Sequence, residues 1–346
     1  MTGFGAPPED TVVLTPERLI TAFRAGEIVG PEGPLKASAA RLTARSVLLM
    51  TPGSVLKVRR PRKIAGVDMT TRTLRAWATE QELWIGRRMS PGTYLSDASL
   101  RWDGERYELI PTLLTAEPTV AMRRLPEARR ADALLTDDST AALLRPAMER
   151  IAAFHEASPI HREPDGWGAP GRTRARWRAE LARLVELGAD SVLDAETQAR
   201  LGDETDAWLD AIDRHLVHRV TEGRIRHLHG ELRLEHIYLT DPVAIIDPAE
   251  GVDERHWSDT AEDVAVLALE LRALGREDLA VAALDVYAGL TRDRTLRHVM
   301  PLFRRLVAVR RAADELALTP HLPPEDHAAC LARARFFTDL ALTAAD

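Results

Sequence analysis

The 346-residue sequence predicts an α+β protein, rich in β-structure over its first third and mainly α-helical beyond about residue 125. Three observations carry this. Short aliphatic runs broken by turn chemistry crowd the region before Leu125. Long alanine- and leucine-rich stretches with helical spacing fill the region after it. A composition that is 45% hydrophobic and 29% charged can bury a core for one large domain or two lobes.

Residues 1–14 read as a loose leader. Thr15-Pro16-Glu17 then joins a hydroxyl N-cap, a proline at the first helical position and an acid in the first turn, which predicts a helix to about Ala25. Two β-type runs, 46–50 and 54–58, flank Thr51-Pro52-Gly53 and form a hairpin. From Thr71 to Met89 the spacing of Leu74, Trp77, Ala78, Leu83 and Met89 is helical, and Ser90-Pro91-Gly92 ends it. Short strands are expected at 106–111 and 119–125, and helices at 138–156, 172–188, 195–217, 259–274, 277–290, 296–316 and 324–343. One later segment, 224–247, is expected to break the helical rule, with β-runs at 237–239 and 243–246 around Asp241-Pro242. The resulting division is 1–35 (leader and first helix), 36–125 (β-rich) and 126–346 (helical).

Several function classes drop out. The first thirty residues mix Glu9, Asp10, Glu17 and Arg18 with apolar residues, so neither a signal peptide nor a membrane span is expected, and the location expected is cytoplasmic. The single Cys330 excludes an intramolecular disulfide and a cysteine-cluster metal site. A net charge of −7 argues against nucleic acid as a partner, with the arginines of 123–130 and 172–183 read as solvated helix faces.

Two acids bracket the 224–247 segment: Glu231 in His-Leu-His-Gly-Glu-Leu-Arg-Leu-Glu-His (227–236), and Asp247 after Val-Ala-Ile-Ile. Phosphoryl transfer needs one acid to orient or deprotonate the attacking hydroxyl and a second to hold Mg²⁺ on nucleotide phosphates. It also needs a cation on those phosphates. Lys57, flanked by apolar residues in a β-run, is the best-placed lysine, and Glu82, in preference to Glu80, is the acid expected to pair with it.

These residues resemble the aminoglycoside and choline kinase-like group, whose catalytic loop reads His-Gly-Asp-x-x-x-x-Asn. Its metal acid opens an Ile-Asp-Phe/Trp segment, followed by Asp-x-x-x-Asp-Leu-Ala. The chain has His229-Gly230-Glu231, His236 at the Asn position, Ile246-Asp247, then Asp259-Thr-Ala-Glu-Asp263-Val-Ala. It is similar above all to the aminoglycoside phosphotransferase-like bacterial subgroup whose kinase domain is often fused to a P-loop ATPase. The pieces that match are Leu56-Lys-Val-Arg-Arg-Pro61, Glu82-Leu-Trp-Ile, Met122-Arg-Arg-Leu-Pro-Glu127 and Leu232-Arg-Leu-Glu-His236.

The resemblance implies a protein kinase-like two-lobed fold, with a small β-rich N-lobe and a large helical C-lobe, and an ATP- or GTP-dependent phosphotransferase acting on a hydroxyl of a small molecule. It places Lys57, Glu82 and Met122 at the nucleotide, Glu231 and His229 in the catalytic loop, and Asp247 and His236 at Mg²⁺, with Asp263 bracing the loop. No Gly-x4-Gly-Lys-Ser/Thr occurs in the chain, so a P-loop ATPase enters the reading as a separate partner. An acidic acceptor lining, to which Asp253, Glu254 and Glu270 are near in sequence, suits a polycation.

The chain also departs from the pattern. Glu231 stands where the group has Asp, His236 where it has Asn, and Pro248-Ala-Glu250 where it has an aromatic; no glycine-rich loop precedes Lys57. The rival reading built on these departures is a catalytically impaired pseudokinase that binds a nucleotide or a partner.

Overall fold

The computed structural model describes residues 15–112, 116–251 and 253–343; the expected leader over 1–14 lies outside them. α1 (Pro16–Ala25) starts as its sequence requires, with the Thr15 hydroxyl accepting the Arg18 N–H at 3.3 Å, and stops at Gly26 with φ 77°. Five strands follow: β1 (Ile28–Gly30), β2 (Gly33–Pro34), β3 (Ala39–Leu42), β4 (Ser46–Met50) and β5 (Ser54–Arg59). After the two-residue pair β6 (Lys63–Ile64) and β7 (Val67–Asp68) comes α2 (Arg72–Met89), then β8 (Tyr94–Trp102), β9 (Tyr107–Ile110) and β10 (Glu117–Arg123).

Eight of these strands form one sheet in the order β2-β1-β9-β8-β10-β5-β4-β3, antiparallel except where β1 lies parallel to β9. The expected β4–β5 hairpin is closed by Thr51, whose hydroxyl accepts the N–H of Ser54 at 2.9 Å. Strand alternation sends Leu56 and Val58 into an apolar core with Leu19 and Phe23 of α1, and sends Lys57 to the other face. β8 lies inside the sheet and was not expected from the sequence: Ala98, Leu100 and Trp102 alternate with Ser99 and Arg101, but Ser96 and Asp97 leave that apolar run short.

Beyond β10 come a one-turn helix α3 (Ala131–Leu134), α4 (Leu144–Ala157), α5 (Pro170–Val192) and α6 (Ala195–Thr221). Residues 138–143, expected as the start of a longer helix, form a 3-10 segment instead, and α5 is broken at Gly188. Next are β11 (Ile225–His227), β12 (Ile237–Tyr238), β13 (Ala244–Ile245), α7 (Asp253–His256) and β14 (Trp257–Asp259). The helices α8 (Thr260–Ala273), α9 (Glu277–Thr291), α10 (Leu296–Leu318) and α11 (Pro324–Leu342) complete the chain. β14 corrects the expectation of a single non-helical segment: it lies outside 224–247 and pairs antiparallel with β11. Three residues that open onto a helix N-cap carry no strand pattern of their own, and β11 supplies the partner.

α8 is buried on every side from Thr260 to Leu269, the mark of a central helix. Its start is clamped by Arg219 of α6, which meets both carboxylate oxygens of Asp259 at 2.6 Å and also bonds Asp293 and Thr295, each at 2.8 Å. Burial would discharge Arg219, but the two carboxylates outweigh it and raise its pKa above the usual guanidinium value. Asp259 also caps α8 through the Ala261 N–H at 2.8 Å. This fixed helix start places Asp263, one turn on.

The chain divides into two compact units. The first comprises the described residues up to Arg62 with Met69–Glu80 and Tyr94–Arg124; the second comprises Lys63–Asp68, Gln81–Thr93 and the described residues from Leu125 on.

Candidate functional site

The second unit holds a loop, Leu228 to His236, between β11 and β12. Asp263 of α8 stands behind it, 1% exposed. One carboxylate oxygen accepts the Gly230 N–H at 2.7 Å; the other accepts the His229 N–H at 3.1 Å and lies 3.2 Å from Nε2 of His155. Nδ1 of His155 is 2.7 Å from the Tyr287 hydroxyl. Because the carboxylate can only accept, the His155 proton sits on Nε2, and Tyr287 donates to Nδ1. Burial raises the Tyr287 pKa, so the hydroxyl keeps its proton.

Gly230 has φ 78°, and a Cβ there would lie 2.6 Å from the Arg255 carbonyl oxygen and 2.9 Å from the Ala249 Cβ. Backbone conformation and space both demand glycine. His229 is fully buried and its Nε2 donates to the Ile246 carbonyl at 3.1 Å, tying the loop to the segment carrying Asp247. Burial pushes its pKa down to about 4, so the ring is neutral and acts as a structural tie.

In front of the loop the side chains are accessible. Glu231 is 20% exposed and lies 3.8 Å from Nη1 of Arg233, whose Nη2 pairs with Glu235 at 2.5 Å. Burial lowers the Arg233 pKa, and the carboxylates of Glu235, Glu231, Glu270 and Glu315 more than reverse this. Nδ1 of His236 is 3.2 Å from the Glu231 carbonyl oxygen, and its Nε2 is 3.5 Å from Asp247 Oδ2. Asp247 is 41% exposed and sits at φ 61°, a left-handed conformation that aspartate tolerates better than most residues. Ser90 braces the strand before it, its hydroxyl donating to the Ile245 carbonyl at 2.7 Å and accepting the Ile245 N–H at 2.6 Å.

The structure therefore gathers Glu231, His229, His236 and Asp247 in one unit. Glu82, on α2, is in the same unit and buried. Lys57 and Met122 belong to the first unit, at buried positions on β5 and β10, where Lys57 is paired in register with Val120 and Met122 with Val55. Of the acids expected to line an acceptor site, Glu270 faces Arg311 at 3.3 Å, and the Asp253 and Glu254 side chains lie outside those described. Arg233, His155 and Tyr287 had escaped the sequence reading. His155 left one trace, a histidine on the apolar face of α4, but its partner lies 108 residues away.

Residues 96–302 match the phosphotransferase enzyme family, more than half of the chain. The chain belongs to that family. Uncharacterized proteins of Mycobacterium tuberculosis (strain H37Rv) and Mycobacterium bovis are 28% identical to it over 275 residues. That alignment takes in 78% of this chain and 53% of theirs, so the chain spans about half the length of these relatives. Among solved structures, the GDP complex of aminoglycoside 2'-phosphotransferase-IIIa is similar with a TM-score of 0.53 at 14% identity, covering 88% of this chain and 93% of that one. The fold is thus the kinase-like fold of these phosphotransferases. Among the described residues no helix is long and apolar enough to cross a membrane.

Proposed function

We propose that the protein transfers the terminal phosphoryl group of ATP or GTP to a hydroxyl of a small molecule at the loop bearing Glu231. One observation carries this reading. His236 reaches from the Glu231 backbone carbonyl to within 3.5 Å of Asp247, tying the base-bearing loop to the exposed acid that follows β13. Glu231 takes the proton from the acceptor hydroxyl, whose oxygen bonds to the γ-phosphorus as the bond to the β-phosphate oxygen breaks and the nucleoside diphosphate leaves. The cation assigned to the nucleotide phosphates in this reading is Lys57, and Glu82 and Met122 are the other residues assigned to the nucleotide. The GDP complex of the structural neighbour supports a nucleotide in this role.

A divalent ion, when bound with the nucleotide, neutralises phosphate charge, and Asp247 would hold it. Mg²⁺ was the ion expected from the sequence. Among the described residues no three His, Cys, Asp or Glu side chains form a metal cage. Mg²⁺ does not require one, since it keeps several waters and is often held by one or two carboxylates. Asp247 meets that need. His236 does not, because it offers nitrogen to an ion that favours oxygen.

The fit of the reading to a cytoplasmic enzyme, and a separate P-loop ATPase as a partner, remain parts of the proposal. Its test is incubation of nucleotide and divalent ion with a panel of hydroxylated acceptors, using wild-type protein, Glu231→Ala and Asp247→Ala. A phosphorylated acceptor formed by wild type and lost in both variants is expected. Nucleotide binding without turnover, unchanged by Glu231→Ala, would instead favour the pseudokinase, a binding module without chemistry.

A further inference from the structure

We infer that the acceptor is an uncharged polyhydroxylated molecule, a sugar or cyclitol without amino or acid groups, and that the side chains beside Glu231 select against a polycation. The inference rests on the reading of Glu231 as the base, which puts the acceptor hydroxyl next to that side chain. It reverses the expectation drawn from the sequence, where acids near the loop suited a polycation.

The surroundings build outward from Glu231. Arg233, 3.8 Å away, is kept charged by four carboxylates, those of Glu235, Glu231, Glu270 and Glu315. Each of these acids faces a guanidinium. Glu235 meets Arg233 at 2.5 Å and has Arg130 at 4.0 Å, and Glu270 meets Arg311 at 3.3 Å. Glu315 meets Arg333 at 2.9 Å and has Arg311 at 3.7 Å. Glu231 acts on the buried Arg255 as well as on Arg233. The group thus runs from the catalytic loop to α8, α10 and α11, all in the second unit. Its guanidiniums are matched in turn, since Arg233, Arg311 and Arg333 each face at least one of the four acids.

Charge of both signs is therefore already paired. A polycation needs carboxylates with unmatched charge, and here each ammonium would have to displace a guanidinium that brings a fork of donors to the same acid. A carboxylated or phosphorylated acceptor meets the converse obstacle, because the guanidiniums it would need are held by glutamates. A hydroxyl meets neither. It carries one donor and two acceptor lone pairs, so neighbouring hydroxyls on a ring can give to carboxylate oxygens and take from guanidinium N–H groups while the ion pairs stay whole. Glu235 and Arg333 can be reached from solvent, with side chains 37% and 51% exposed.

The experiment pairs saturation-transfer NMR titrations with a phosphoryl-transfer assay, on wild type and Arg333→Gln. Three acceptor classes are compared: uncharged (glucose and myo-inositol), aminated (glucosamine and 2-deoxystreptamine) and acidic (glucuronate). The uncharged class should bind wild type at least about tenfold tighter than the other two, and its affinity should stay within about twofold between about 0.05 and about 0.5 M salt. Arg333→Gln takes the nearer guanidinium off Glu315, so aminated acceptors should gain at least about threefold relative to uncharged ones. A preference for the aminated or acidic class, no binding of the uncharged class, or a ratio that Arg333→Gln leaves unmoved would overturn the inference. If uncharged acceptors bind with the expected preference but none is phosphorylated with ATP or GTP and a divalent ion, the acceptor class stands and the reading of Glu231 as a base fails. If an aminated acceptor is phosphorylated in preference, the phosphotransferase reading stands and the acceptor class fails.

Discussion

Behind the loop, Asp263 accepts two backbone N–H groups and a histidine in near-complete burial, whereas in front of it Glu231, Arg233, Glu235, His236 and Asp247 are partly open to solvent. The two sides follow different physical constraints. A buried carboxylate with three donors tolerates no change, because each orphaned partner costs about 1–3 kcal/mol. An accessible side chain can be lengthened or exchanged without unfolding anything. The chain keeps the family pattern behind the loop, in His229, Gly230 and Asp263, and departs from it in front, at Glu231 and His236. The departures thus fall on side chains that can change without disturbing the buried ties to Asp263.

The largest expected effect lies in front. Glu231→Ala should lower turnover about 10²–10⁴-fold, the usual contribution of a general base, with the unfolding midpoint nearly unchanged. A steady-state assay paired with thermal denaturation checks this, and a large loss of stability would break the contrast between the two sides. Behind the loop the pattern reverses. Asp263→Ala should cost about 3–5 kcal/mol of stability, read by chemical denaturation, because it orphans the His229 and Gly230 N–H groups and His155 together.

Acid should also act on the buried side. His229 has its pKa pushed down to about 4 by burial, so the unfolded chain binds a proton there before the folded one does. Its contribution to stability is complete above about pH 6.5 and falls away as pH drops toward 4, at up to about 1.4 kcal/mol per pH unit. Denaturation curves across that window should lose part of their slope in His229→Gln. The smallest effect belongs to Arg233→Ala. A part-exposed guanidinium 3.8 Å from Glu231 contributes about 1 kcal/mol or less, so turnover should fall no more than about fivefold.

Much of this contrast was legible in the sequence. The capped α1, the β4–β5 hairpin and the long helices follow local rules that the residues state themselves, and the ordered set Glu231, Asp247, Asp259 and Asp263 is carried by short spacings. What escaped is what depends on distant partners. β8 alternates only over 98–102, too short a run to give a nine-residue strand, and β14 exists because β11 pairs with it. His155 and Tyr287 meet Asp263 only in the folded chain. Arg233 was visible as a residue, but its division between Glu231 and Glu235 is a matter of side-chain geometry.

The most direct test of a site split between a base and a metal acid compares nucleotide binding with turnover in two variants. By calorimetry with ADP and a divalent ion, Asp247→Ala should weaken binding at least tenfold while Glu231→Ala leaves it within about twofold, and phosphoryl transfer should be lost in both. Wild-type-like transfer in Glu231→Ala, or equal binding by Asp247→Ala and wild type, would contradict it.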